Sequence, residues 1–129
     1  MRAWAWLAWA GLLLSDSAQA SCPPEGTNPA SLRLLREQKF AVPDEVRAAL
    51  VAGLPACLAD PDPAVRDGVA YEGLSTWLRA GQLDVQQRRA LRARLYAMLG
   101  EDAAAGFGPP FAALVLSEVA RTDRVAPWM

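Results

Sequence analysis

The sequence predicts an all-α protein in which antiparallel helix pairs stack as a short HEAT- or armadillo-like α-solenoid of about five helices. Three observations predict it. Apolar residues recur at helical spacing between capped starts and glycine or proline stops, and no stretch alternates with period two over a strand's length. The starts themselves recur: Asp44 and Asp84 stand 40 residues apart, Pro63 and Pro109 stand 46 apart, close to the about 40–47-residue period of helix-pair repeats. The connections are short, as antiparallel neighbours require.

Residues 1–20 read as a signal peptide rather than as part of the fold. Arg2 supplies a minimal positive start, Ala3 to Leu14 an apolar stretch, and Ala18-Gln19-Ala20 a small-x-small cleavage site. The stretch is shorter than the about 20 residues a bilayer span needs, so no stable membrane span is expected. Cleavage near Ala20 would leave the protein periplasmic or secreted. The competing reading is a lipoprotein signal ending at Cys22, but Gln19 and Ser21 stand poorly where a leucine and a small Gly or Ala are wanted. Trp4, Trp6 and Trp9 belong to this segment and not to a core.

Export gives the cysteines a meaning. Cys22 and Cys57 are the two in the chain, and in an oxidising compartment they are expected to form a structural disulfide. A redox or metal pair is disfavoured, because there is no C-x-x-C, no histidine and no further cysteine. The bridge would tie a short lead, residues 21–27, to a single α-helical domain, residues 28–129.

Asn28 and Pro29 cap and open the first helix, which runs to about Lys39 with Leu32, Leu34 and Leu35 apolar. The second begins at Pro43, with Asp44 and Glu45 near its positive end. Val46, Leu50, Val51, Leu54, Cys57 and Leu58 fall on one arc, and Gly53 with Pro55 predicts a kink or break near Leu54. Asp60 to Gly81 is the most strongly written element: Asp62 caps, Pro63 starts, and Gly81 closes it in the left-handed conformation. Val65, Val69 and Thr76 fall on one side, Ala70, Leu74, Trp77 and Leu78 on the other. A helix apolar on two sides packs between neighbours. Asp67 projects near Leu74 and Leu78, and Glu72 near Val65. Each needs a cation; Arg66, Arg79 or an arginine of another helix could serve.

Asp84 and Gln87 have capping-box spacing for the next helix, whose stripe is Leu91, Leu95, Met98 and Leu99 and which ends at Gly100. Arg89, Arg92 and Arg94 point elsewhere. After a small-residue loop, Pro109 or Pro110 starts a last helix reaching about Arg124. Phe111, Leu114 and Val115 lie on one side of it, Leu116 and Val119 on another, with Glu118 near Phe111.

Composition narrows the chemistry. A net charge of −1 argues against a nucleic-acid partner or a polybasic membrane surface. Without histidine there is no Ser-His-Asp triad, no Cys-His pair and no ordinary zinc site, and no glycine-rich phosphate loop is present. No metal or cofactor is expected. Paired carboxylates remain: Asp67, Glu72, Glu118 and Asp123 could converge on the inner helices, one taking up a proton. Alternatively they pair with Arg66, Arg121 and Arg124 and lock helix to helix. Tyr71 and Trp77 could form a ligand surface, although Trp77 beside Leu74 and Ala70 suits a core.

The residues Asp62-Pro63, Arg66-Asp67-Gly68, Tyr71-Glu72, Leu74, Trp77-Leu78 and Gly81, with Phe107, Phe111, Leu114 and Leu116, carry a family likeness. They resemble the bacterial family of domains of unknown function numbered 2785, whose members are helical and often exported. The likeness runs roughly from Thr27 to Trp128, with Pro109 and Pro110 where the family tends to have Arg-Ser. Members usually continue into a second half with a Gly-Trp-x-His segment. The resemblance therefore implies a front half, to which an activity housed in the second half is not carried over.

These readings converge on an exported helical interaction or scaffold module without catalytic activity. Its candidate binding residues are Arg66, Asp67, Tyr71, Glu72, Glu118, Arg121, Asp123 and Arg124. The partner would be a protein or peptide, or a second copy meeting the apolar end Val125-Ala126-Pro127-Trp128-Met129. The alternatives are a carboxylate-based enzyme, or a remnant of one, using Asp67 and Glu72, or a truncated, non-functional half-domain.

Overall fold

The computed structural model describes residues 21–102 and 106–125. The expected signal segment and the end from Ala126 to Met129 lie outside these residues. Among the described residues the fold is all-α, with five helical rods packed against one another and no strand.

The first rod is α1 (Pro29–Glu37). Asn28 Oδ1 accepts from the Ser31 backbone N–H, and Ser31 Oγ accepts from that of Asn28, both at 2.9 Å. This reciprocal box satisfies two of the donors a helix start leaves free. The rod stops short of Lys39 because Lys39 and Phe40 turn left-handed, at φ 53° and 60°. Such geometry costs an L-residue roughly 1–2 kcal/mol, and the fold supplies compensation. Phe40 is buried with its ring edge-on to Trp77, at 6.0 Å and 85°. Trp77 Nε1 also donates to the Phe40 carbonyl at 3.0 Å.

The second rod is α2 (Asp44–Gly53), which tightens into a 3-10 segment over Leu54–Ala59. The break falls at Leu54 as expected, since Pro55 cannot donate a ladder hydrogen bond. Leu50, Val51, Leu54, Cys57 and Leu58 are buried, but Val46, on the same predicted arc, is exposed. The lead folds back over this rod. A Cβ on Gly53 would come within 2.7 Å of Pro24 Cβ, so only glycine admits the lead here. The Cys22–Cys57 disulfide fastens it.

The central rod comprises α3 (Pro63–Val65), a π-helical segment (Arg66–Tyr71) and α4 (Glu72–Arg79). Asp62 Oδ1 caps it by accepting from Ala64 N–H at 2.9 Å. Gly81, at φ 68°, closes it and lets the Gln82 N–H reach the Trp77 carbonyl. Both sides are covered, because the rod touches α1, the 3-10 segment and α6, the last rod. Gly73 lets the Phe40 ring close on α4: an added Cβ would stand 3.1 Å from Phe40 Cδ1 and Cε1. Leu74 and Trp77 are fully buried; such burial contributes about 1.5–3 kcal/mol for a large apolar side chain.

Next is α5 (Val85–Leu99), opened by the expected box between Asp84 and Gln87 at 2.8 and 2.9 Å. The last rod, α6 (Gly108–Val125), begins at Gly108 rather than at a proline. Pro109 and Pro110 fall in its first turn, where no backbone donor is needed. The rod α5 packs on α6, α2 and the 3-10 segment. Three residues placed on apolar stripes by spacing, Leu34, Leu99 and Leu114, are instead exposed. No helix among the described residues is long and apolar enough to cross a membrane.

Candidate functional site on the α4–α6 face

Arg66, Asp67 and Tyr71 all lie in the π-helical segment, where the Glu72 N–H bonds back to the Asp67 carbonyl five residues earlier. Isolated π turns of this kind are rare and concentrate at functional positions. Arg66 is buried and committed to local structure. Its guanidinium donates to the carbonyls of Asp60 and Pro61 at 3.2 and 3.3 Å and to Asp67 Oδ2 at 3.1 Å. It also lies 3.8 Å from the Phe107 ring centroid and 5.1 Å from that of Phe111. Each such cation–π contact adds about 0.5–2 kcal/mol. Tyr71 meets Phe111 edge-on at 6.1 Å, and Phe111 meets Phe107 at 6.4 Å. The π segment and the start of α6 are thus in contact through an aromatic step.

Further along α6 sits Glu118, only 3% exposed. Arg79 grips it with two parallel bonds, Nε to Oε2 at 3.0 Å and Nη2 to Oε1 at 2.6 Å, the forked geometry that makes arginine–carboxylate pairs strong. Arg121, one turn on, brings Nε to 3.5 Å from Oε2. The Arg79 hydrogen bonds, aided by the charges of both arginines, hold the Glu118 carboxyl below the usual range, while burial opposes the shift. The same bonds raise the Arg79 guanidinium further. Glu118 is therefore a fixed anion that accepts hydrogen bonds; it is unsuited to donating a proton at neutral pH. The arginines remain open to solvent, their side chains 58% and 63% exposed. Two depressions flank them. One, of about 190 Å³, lies among Leu78, Arg79, Gly81, Leu83, Arg88, Thr122 and Val125. The other, of about 350 Å³, lies among Ser117, Ala120, Arg121 and Arg124.

Three of the four carboxylates expected to converge on the inner helices have separate arginine partners instead. Asp67 sits against Arg66, and Glu118 against Arg79 and Arg121. Glu72 points toward α1, with Arg36 Nε at 3.6 Å in an exposed pair. Asp123 is half-buried and Arg124 exposed in the last turn of α6. Among the described residues no group of three acidic or cysteine side chains could hold a metal. Three participants were absent from the sequence-derived candidate set: Arg79, Phe107 and Phe111. Arg79 and Glu118 stand 39 residues apart, so no local spacing announces their pairing. Phe107 and Phe111 do carry a signal, since four-residue spacing puts them on one helical face.

Fold and face together define an all-helical protein with a surface built from an aromatic step and an ion cluster in which two arginines share Glu118. Set against family models, curated proteins and solved structures, the chain has no match in any of the three.

Proposed function

We infer that the chain is an exported, HEAT-like interaction module, without catalytic activity, that engages a protein or peptide through the α4–α6 face. The observation that carries this reading is a continuous stripe running from the residue before α6 along that helix. Phe107, Phe111, Leu114, Glu118 and Arg121 follow one another at steps of four and three residues, the spacing of one helical face. Along it Phe107 and Leu114 are 45% and 46% exposed, so large apolar groups stand open to solvent on the same stripe as the ion cluster. Aromatic and arginine side chains are the commonest anchors of protein interfaces. The π turn underneath supports the reading, as does the disulfide, which suits an oxidising compartment and hence export. The family likeness fits the same module, with both of its motifs contributing to one surface. The carboxylate-enzyme alternative loses support from the low-titrating Glu118 and from the separate arginine partners of Asp67 and Glu72.

The test is a selection of displayed peptides on the full chain, followed by rebinding to two variants. Leu114→Asp should abolish binding of the selected peptides, whereas Tyr96→Ala, at an exposed position of α5, should leave it intact. Peptides indifferent to Leu114→Asp, or a selection that yields none, would remove the basis for this face.

A further inference from the structure

We propose that the segment received by this face is acidic, with a carboxylate held about 10 Å from an apolar side chain. The inference deepens the reading of the α4–α6 face and rests on it. Glu118 uses Nε and Nη2 of Arg79 and engages Arg121 only through Nε at 3.5 Å. Each guanidinium carries five N–H donors, so most of those on Arg121 remain available for another acceptor. Two cations around one buried anion also leave a surplus positive charge at this end of the stripe, although the chain as a whole carries −1. The complement is a carboxylate, which arginine meets with matched fork geometry.

Its distance from the apolar contact follows from the helix. Leu114 and Arg121 are seven residues apart, which at the α-helical rise is about 10 Å. A polyproline II segment advances about 3.1 Å per residue with three residues per turn, so three steps cover about this interval and return the side chain to the same side. The pattern received is therefore apolar-x-x-acid, its apolar side chain on Leu114 and the Phe111–Tyr71 step and its carboxylate on Arg121 with Arg79. The positive charge steers the encounter and the apolar contact retains the segment.

Two short fluorescent peptides test this on the full chain, one centred on Leu-Ala-Ala-Glu and one on Leu-Ala-Ala-Gln, by anisotropy titration at low salt. The Glu peptide should bind at least tenfold more tightly. That preference should vanish in Arg121→Gln, which leaves Arg79 gripping Glu118, with circular dichroism confirming that the helix content is kept. Leu114→Asp should weaken both peptides. Equal binding of the two peptides, lost on Leu114→Asp, would overturn the acidic partner while leaving the face standing. Binding untouched by Leu114→Asp would overturn the face and the inference with it. Failure of both peptides to bind, while display-selected peptides bind through Leu114, would overturn the apolar-x-x-acid pattern alone.

Discussion

Removing the Cys22–Cys57 bridge should cost this protein much of its stability. The perturbation is the double substitution Cys22→Ala and Cys57→Ala. The bridge spans a sequence separation of 35. A loop of that length restricts the unfolded chain by roughly 13 cal/mol/K, or about 4 kcal/mol at 25 °C. Small domains have about 5–15 kcal/mol in total, so the variant should retain only part of its margin. For a domain of this size the melting temperature should fall by about 20 °C. The assay is thermal unfolding by circular dichroism, run on wild type with and without dithiothreitol and on the variant. Reduced wild type and variant should fall together. Any difference between them isolates the packing of the Cys57 sulfur, which is fully buried. A variant melting within about 5 °C of oxidised wild type would refute the reasoning. It would mean that the lead is held to the second rod by the Pro24–Gly53 contact whether or not the bond is present.

Two further perturbations probe the core and the ion cluster. Gly73→Ala places a methyl 3.1 Å from two carbons of the Phe40 ring, which Trp77 and the left-handed turn hold in place. Overpacking should outweigh the gain in helix propensity and cost about 1 kcal/mol net; a melting temperature equal to or above wild type would show that the ring yields. Glu118 titrates lower in the fold than its ordinary value of 4.5. Its pairing therefore stabilises the fold above that pH, and the contribution disappears as pH falls through the lower folded value. Glu118→Gln should melt below wild type at pH 7, with the gap shrinking as pH falls below 4.5. A gap unchanged as pH is lowered from 7 to well below 4.5 would show that the ionised form contributes nothing.

Much of this fold could be read from local chemistry. Asn28, Asp62 and Asp84 marked helix starts, Gly81 an end, and Gly53 with Pro55 the change at Leu54, because caps and breakers act within one turn. Trp77 in the core followed from its place beside Leu74. Long-range geometry was hidden. Periodicity says which side chains share a stripe but not how wide a strip the neighbours cover, so Val46, Leu34, Leu99 and Leu114 read as core and are exposed. The left-handed Lys39–Phe40 turn was equally silent, since the contacts that hold it come from Gly73 and Trp77. At the candidate face, the charged residues of the π segment were singled out because carboxylates near apolar side chains need cations. The need was visible for Glu118 too. Its partner, Arg79, stands on another rod and became identifiable only once α4 and α6 were in contact.

The π turn at Arg66–Tyr71 acts on this arrangement as a phase shifter. Each residue of an α-helix advances the wheel by about 100°, so a widened turn resets the angle of everything downstream. With it in place, one rod satisfies two demands at once: Trp77 points inward to Phe40, and Arg79 points sideways to Glu118. Conversion of Arg66–Tyr71 to ordinary α-turns at unchanged chain length would keep the helix and its composition, yet swing α4 by about that angle. Trp77 would leave its carbonyl and Arg79 its carboxylate together. Core and surface are thereby coupled through one local irregularity, and regularising that turn without shortening the chain would alter both, however conservative the residues around it.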